Sequence, residues 1–194
     1  MISTFTVLID ANVFFGARLK SLVLFLAQTK MFRARWTEKI NNEWVNSIHK
    51  EQNVPLEKLE RMRMLVNASV PDCLVTGYEP LEKSFELPDP DDRHVLAAAI
   101  KTCADVIVTF NLKDFPAEIL TPLGMKAQHP DDFLLDLFGI SPELFISAAQ
   151  QDFLHYKAPV FTFDQYIAAL KKAGLPNTAK QIEEVQLLIC NPDR

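Results

Sequence analysis

The stretch LIDANVFF, residues 8–15, places a carboxylate and an amide inside an apolar run. The β-branched and apolar residues 4–9 predict a buried strand that ends directly before Asp10. A buried, unpaired carboxylate is strongly unfavourable. We therefore expect a helix N-terminus, a cationic side chain or a metal ion to compensate Asp10.

Strands and helices alternate from this stretch to about residue 120. Segments with strand character lie at residues 4–9, 32–36, 73–76 and 106–109. Apolar residues at helical spacing separate them, with Thr37 as a predicted N-cap and Pro55 in the first turn of another helix. This order predicts an α/β fold in which a parallel sheet is connected by helical crossovers.

The pattern changes between Pro116 and Pro130, after which one amphipathic helix follows another. We therefore predict an α/β domain over residues 1–122 and a small all-helical C-terminal extension over residues 129–194.

Composition limits the class of protein. The hydrophobic fraction is 48% and the charged fraction 23%, as in globular proteins. No apolar run approaches the ~18 residues that cross a membrane. The three cysteines are scattered, which favours a reducing cytoplasm over a disulfide scaffold or a zinc site. We expect a cytoplasmic protein without a signal peptide or a membrane partner.

Charge is distributed unevenly along the chain. The net charge is -5, yet residues 16–63 contain ten Lys or Arg and five Asp or Glu. A basic segment in an acidic protein is typical of a phosphate-binding face. Solvated helix surfaces would give the same pattern, so charge alone leaves both interpretations open.

Several carboxylates follow or precede the predicted strands. Asp10 follows the first strand, Asn111 and Asp114 follow the strand at 106–109, and Asp92 begins the helix that leads into that strand. Ligands of parallel α/β sheets bind at the carboxyl ends of the strands. Each acid also has a simpler interpretation as a helix cap or an exposed side chain.

Taken together, these side chains offer oxygen ligands without His or Cys, which suits Mg²⁺ or Mn²⁺. Two such ions about 4 Å apart activate a water molecule and stabilise the leaving oxygen in phosphodiester hydrolysis. The sequence therefore predicts a metal-dependent hydrolase.

Three motifs occur in a fixed order: LIDANV with Asp10, TEKINNEW with Glu43, and DPDDRHVLAAAIKTCADVIVTFNLKDF with Asp92. In this order the sequence resembles PIN-domain ribonucleases, especially VapC-like toxins of bacterial toxin–antitoxin pairs. The resemblance covers roughly residues 4 to 120. The tail from His129 is similar to a helical extension found in one subgroup of that family.

The resemblance implies a three-layer α/β/α domain with a parallel sheet, and it implies roles for individual residues. Asp10, Glu43 and Asp92 match the catalytic, metal-binding acids. Asn111 stands where many relatives have a fourth acid and is implied as a metal ligand, and Asp114, the nearest carboxylate there, is implied as a catalytic residue. Asn111 puts the second metal ion in doubt, because an amide is a weaker ligand than a carboxylate. Supporting roles are implied for Asn12, Thr109 and Asp91.

The resemblance also implies a Mg²⁺- or Mn²⁺-dependent endoribonuclease in which water attacks RNA, leaving 5′-phosphate and 3′-hydroxyl ends. It further implies a cognate antitoxin and pairing into a homodimer. From the basic segment we predict RNA phosphate contacts by Arg18, Lys20, Arg33 and Arg35. We expect Arg93 and His94 to face away from Asp92 and to be structural.

Other functions remain open from the sequence. A haloacid-dehalogenase-type phosphatase also opens on an acid after its first strand, but Asn12 occupies the place of its general acid. A response regulator would need an early acidic pair and a late Lys. Asn111 leaves open a catalytically weak or inert PIN fold that binds RNA or protein.

Overall fold

The computed structural model describes residues 5–155 and 160–190, and the strands within these ranges form one four-stranded sheet. They are β1 (Thr6–Ile9), β2 (Arg33–Arg35), β3 (Val106–Val108) and β4 (Lys126–Gln128). Their spatial order is β2-β1-β3-β4, and every neighbouring pair is parallel. The predicted α/β class with a parallel sheet is confirmed.

Helices account for most of the remaining described chain. In chain order they are α1 (Ala11–Phe15), α2 (Ala17–Gln28), α3 (Glu38–Gln52), α4 (Leu56–Ser69), α5 (Arg93–Lys101), α6 (Ala117–Leu120), α7 (Pro130–Ile140), α8 (Pro142–His155), α9 (Phe163–Lys172), α10 (Pro176–Glu184) and α11 (Gln186–Cys190). Short 3₁₀ turns lie at Glu79–Ser84, Pro90–Asp92, Leu112–Asp114 and Thr121–Leu123.

The chain divides into two compact units, Met1–Phe15 with Phe32–His129 and Gly16–Met31 with Pro130–Arg194. The sheet belongs to the first unit. The division predicted from sequence, at residues 122 and 129, stays a prediction.

Central strand β1 explains the position of the acids in the first unit. Val7, Leu8 and Ile9 are fully buried, as expected of a parallel strand covered on both faces. Burying a side chain of this size contributes about 1.5–3 kcal/mol. Ile9 lies opposite Val108 in the register. The residues that directly follow β1 and β3 are therefore neighbours at the carboxyl edge of the sheet.

Aromatic packing fixes α1 and α3 near this edge. The Phe14 ring meets the Trp36 ring edge to face at 5.1 Å, and its centroid lies 6.3 Å from that of Trp44. Thr37 caps α3 by accepting a hydrogen bond from the Ile40 N–H at 3.0 Å, which confirms the predicted N-cap. As a result, the α3 turn that carries Glu43 has a defined position.

Small side chains allow α5 to approach the sheet closely. The run Ala97–Ala99 is fully buried, and α5 packs against β1 and β3. The residue that precedes α5, Asp92, is thereby placed at the edge where β1 and β3 end.

The structure differs from the sequence prediction in three elements. Strand β4 was not expected, because Lys126–Gln128 lacks an apolar run; the turn before it uses Gly124 with a φ of 75°. Residues 73–76 form an isolated bridge between Leu74 and Trp36 instead of a strand. The predicted loop before residue 88 contains a 3₁₀ turn. The predicted strand residue Thr4 lies outside the described residues.

Helix packing and buried carboxylates organise the second unit. Helix α2 packs against α8, where the Ser21 hydroxyl donates to Asp152. The Tyr166 hydroxyl of α9 donates to the same carboxylate at 2.8 Å. Helix α7 packs on α10, and Asp131 accepts hydrogen bonds from the Asn177 and Thr178 N–H groups at 3.0 and 2.8 Å. A helix inside the predicted first domain, α2, thus shares its core with the C-terminal helices.

The length and the apolar character of a helix decide whether it can span a membrane. Across residues 5–155 and 160–190, none of the helices is both long enough and apolar enough to cross a bilayer.

Candidate metal centre

A pocket of about 430 Å³ lies in the first unit where β1 and β3 end. Asp10 and Asn12 reach it from the end of β1, Glu43 from α3, and Asp92 from the start of α5. The complete lining is Asp10, Ala11, Asn12, Phe15, Glu43, Trp44, Ser47, Glu51, Asp92 and Asn111. The three acids of the sequence motifs therefore share one pocket.

Asp10 is held rigidly by hydrogen bonds. Its side chain accepts from the Ala11 N–H at 2.6 Å, from the Asn12 amide at 2.6 Å and from the Thr109 hydroxyl at 2.7 Å. Burial raises the pKa of Asp10 above its ordinary value; the Thr109 and Ala11 hydrogen bonds oppose this, and the charge of Glu43 adds to it. The hydrogen bonds thus compensate only part of the cost of burying the Asp10 carboxylate.

Asn12 and Thr109 connect the ends of β1 and β3. The Asn12 amide donates to the Thr109 hydroxyl oxygen at 2.9 Å and accepts from the Phe110 N–H at 3.2 Å. The same hydroxyl oxygen accepts from the Asn111 N–H at 3.0 Å. Thr109 is fully buried and is not part of the pocket lining. Thr109 therefore supports Asp10 by a hydrogen bond without lining the pocket itself.

Glu43 makes a close polar contact with His94 that sequence reasoning missed. The Nε2 of His94 lies 2.8 Å from the Glu43 Oε1, and His94 is only 1% exposed. His94 was expected to face away from Asp92 and to be structural. Because α5 begins at Arg93, His94 instead turns toward α3 and contacts Glu43, an acid of the same pocket as Asp92. The signal in the sequence was a His two residues after the third acid, at the start of an apolar helix.

Asp92 lies at the N-cap position of α5, but its side chain makes no capping hydrogen bond among the described residues. Asp89 caps the preceding 3₁₀ turn instead, by accepting from the Asp91 N–H at 2.9 Å. Burial, followed by the charges of Asp10, Asp89 and Asp114, raises the pKa of Asp92 to about 7. Asp91 is exposed and outside the pocket lining.

The fourth acid position is filled by Asn111. Asn111 lines the pocket, whereas Asp114, which follows in the 3₁₀ turn, is not part of the lining. The Asp114 charge still contributes to the raised pKa of Asp92. The turn therefore presents the Asn111 amide to the pocket, whereas the Asp114 carboxylate is not part of the lining.

The donor set fits a hard divalent cation in an open site. The candidate ligands are carboxylate and amide oxygens, and no His or Cys belongs to the lining of this pocket among the residues described. Within the described ranges, no three His, Cys, Asp or Glu side chains stand close enough together to hold one metal ion. Mg²⁺ commonly takes only one or two carboxylates and completes its shell with water and substrate phosphate.

None of the four predicted phosphate contacts lines this pocket, which we call the acidic pocket. Lys20 in the second unit is buried, and burial lowers the pKa of its ammonium to about 8, which argues against a surface contact with phosphate. The Arg18 guanidinium, in the same unit, lies 4.3 Å from the centre of the Phe161 ring. Arg33 and Arg35 line a different pocket of the first unit, which shares no residue with the acidic one.

Comparison with known families agrees with the fold. The chain belongs to the PIN-domain family, whose model matches residues 6–113. A second model, described as the VapC50 C-terminal domain, matches residues 130–184. The resemblance to VapC-like PIN proteins and to a helical C-terminal extension is confirmed.

The chain is also similar, over part of its length, to a named bacterial protein. The chain is 60% identical over 81 residues to the protein named "Putative ribonuclease VapC50" of Mycobacterium tuberculosis (strain ATCC 25618 / H37Rv). The match covers 40% of this chain and 47% of that protein, so the chain spans about half the length of this relative. No solved structure matches the chain.

Proposed function

We propose that the chain is a Mg²⁺- or Mn²⁺-dependent endoribonuclease and the toxin of a toxin–antitoxin pair. The observation that supports this most is the convergence of Asp10, Glu43 and Asp92 on one pocket at the carboxyl edge of the sheet. The PIN-domain match and the name of the relative, a putative ribonuclease, support the same activity.

In this proposal the candidate ligands are Asp10, Glu43, Asp92 and Asn111; one or two of the carboxylates would bind the divalent ion directly, and water would complete its shell. When bound, such an ion polarises the phosphodiester and lowers the pKa of water. The chain's own part is positioning: Asn12 and Thr109 fix Asp10, and His94 fixes Glu43. Water adds its hydroxyl to phosphorus, the bond to the 3′-oxygen breaks, and that oxygen takes up a proton. The products are a 5′-phosphate and a 3′-hydroxyl.

The test is cleavage of a mixed RNA pool by the purified full chain, with Mn²⁺ and with EDTA. We expect cleavage by the wild type with Mn²⁺, a loss of at least about a hundredfold in Asp10→Asn, and none in EDTA. Glu57→Gln is the matched control, because Glu57 is an exposed acid on α4. Cleavage that survives both EDTA and Asp10→Asn would contradict the proposal.

The toxin part of the proposal has a separate test in cells. Induction of the wild-type chain should arrest bacterial growth, and Asp92→Asn, which keeps the shape of the side chain, should relieve the arrest. A cognate antitoxin gene expressed from a second plasmid should restore growth. Unaffected growth under wild-type induction would remove the toxin role and leave a nuclease of RNA processing as the next interpretation.

A second candidate is a PIN fold that binds RNA or protein without cutting. The observation in its favour is Asn111, which lines the pocket where many relatives have an acid. This candidate predicts RNA binding without cleavage at any concentration of Mg²⁺ or Mn²⁺, so the same cleavage assay separates the two.

A further inference from the structure

A second pocket of the first unit, about 360 Å³ in volume, is basic. It is lined by Arg33, Arg35, Leu74, Val75, Thr76, Lys101 and Thr102. Three cationic residues and two threonines thus line one cavity. We call it the basic pocket.

Strand geometry places its two arginines side by side. Arg33 and Arg35 alternate with the buried Ala34 along β2, so both project from the same face, about 6.6 Å apart along the strand. Lys101 reaches the pocket from the end of α5. The Lys101 side chain passes close to Gly77: its Cε lies 4.0 Å from the point that a Cβ atom at residue 77 would occupy. The three cations therefore come from elements whose positions are fixed by the sheet and its crossover helix.

The positive charges of the basic pocket are offset only in part within the described protein, by the charge of Asp72. In the part of the chain that the structure describes, none of Arg33, Arg35 and Lys101 forms an ion pair. Burial and the neighbouring charge of Arg33 lower the pKa of Arg35, whereas Asp72 acts in the opposite direction. Like charges held together without a partner attract an anion.

The two pockets lie at opposite ends of α5. Asp92, at the start of this helix, lines the acidic pocket, and Lys101, at its end, lines the basic pocket. Nine residues of helix span about 14 Å. The basic pocket is thus at the amino edge of the sheet, where Arg33 pairs with Thr6.

We infer that the basic pocket binds phosphate groups of an RNA strand whose scissile bond lies in the acidic pocket. This inference rests on the proposed ribonuclease function. RNA is a polyanion, and Asp10, Glu43 and Asp92 repel it, so affinity has to come from cations outside the acidic pocket. Guanidinium groups match phosphate oxygens in geometry and charge.

The direct test measures RNA binding in EDTA, where no cleavage occurs, over a series of salt concentrations. Arg33→Gln with Arg35→Gln should lower the slope of log affinity against log salt by about 1.4, because each lost contact with a single strand contributes about 0.7. Lys101→Gln alone should lower it by about half as much. The matched control is Lys58→Gln with Arg61→Gln, two exposed cations of α4. A slope that changes equally in both double variants, or in neither, overturns the inference.

Cleavage kinetics distinguish binding from catalysis. On a long RNA, the double variant should raise KM and leave kcat unchanged. On a dinucleotide, whose single phosphodiester cannot occupy both pockets, it should leave kcat/KM unchanged. An equal loss on the dinucleotide would mean that the arginines act on the catalytic centre or the fold, which overturns the inference.

An acidic protein segment is the other anion that the basic pocket would attract. Polyglutamate serves as the probe for it. If the double variant loses polyglutamate binding but keeps the wild-type salt slope for RNA, the pocket binds a protein partner and the inference is wrong. A salt slope that falls as predicted in a chain that cuts no RNA supports the basic pocket and removes only the ribonuclease proposal.

Discussion

Asp10 illustrates how one residue determines both local structure and chemistry. It directly follows a fully buried strand, and Asn12, Thr109 and the Ala11 N–H hold its carboxylate. The Asn12 amide hydrogen-bonds to Asp10, Thr109 and Phe110, so Asn12 has a structural role. A haloacid-dehalogenase-type phosphatase would carry its general acid at this position.

Replacing Asn12 by Asp should destabilise the protein. The new carboxylate would stand against Asp10, whose oxygen lies 2.6 Å from the present Asn12 nitrogen, and two donated hydrogen bonds would be lost. We expect urea unfolding to show a loss of about 1–3 kcal/mol. Asn46→Asp, at an exposed position of α3, should change it by less than about 0.5 kcal/mol. Equal effects of the two substitutions would refute the bridging role of Asn12.

His94 should act by positioning Glu43. His94→Leu removes the donor to the Glu43 carboxylate and fills the buried position with an apolar side chain of similar size. The rate of RNA cleavage should fall about tenfold, the equivalent of one lost hydrogen bond of about 1.4 kcal/mol. His94→Gln, which retains a donor, should restore part of the rate. If the two variants are equally slow in single-turnover cleavage, hydrogen bonding to Glu43 is not the cause.

At the scale of elements, α5 connects the two pockets and depends on its three alanines. Ala98 is fully buried where α5 packs on β1 and β3. Ala98→Leu should overpack this contact and lower the free energy of unfolding by about 1–3 kcal/mol. Ala68→Leu on the exposed face of α4 is the control and should have little effect in the same urea experiment. A harmless Ala98→Leu would contradict the close approach of helix and sheet.

The contact of α8 with α2 should make stability depend on pH. Burial raises the pKa of Asp152, with the Ser21 and Tyr166 hydrogen bonds opposing it. The folded state therefore binds the proton more tightly than the unfolded state does. The stabilisation is fully present below the ordinary pKa and is lost as pH rises through the raised folded value.

Asp152→Asn removes this titration. As the pH rises above about 4, the ordinary pKa of the group, the free energy of unfolding of the wild type should fall relative to that of the variant, until the raised folded pKa is passed. Urea unfolding at a series of pH values measures the difference. A difference that stays constant over this range would show that Asp152 does not titrate with the fold.

At the scale of the whole molecule, local patterns predicted most of the fold. Apolar runs identified β1 and β3, and the residues directly after them were expected at the carboxyl edge, where Asp10 and Asn111 do line one pocket. Strand β4 was missed because its residues carry no strand pattern, only pairing with β3.

Tertiary contacts explain the remaining differences. The amphipathic face of α2 was visible in the sequence, but its partner α8 lies more than a hundred residues further along the chain. The pairing of His94 with Glu43 joins two helices that the sequence alone cannot orient. The division into domains, the roles of the site residues and the homodimer stay predictions; light scattering of the full chain tests the last of them.

The most direct test of the central claim is calorimetric titration of the full chain with Mn²⁺. We predict that the wild type and Glu57→Gln bind the ion alike, and that Asp10→Asn and Asp92→Asn each bind at least about tenfold more weakly, since each removes a charged oxygen ligand. Equal affinity in all four proteins, with the variants folded by circular dichroism, would contradict a metal centre in the pocket of Asp10, Glu43 and Asp92.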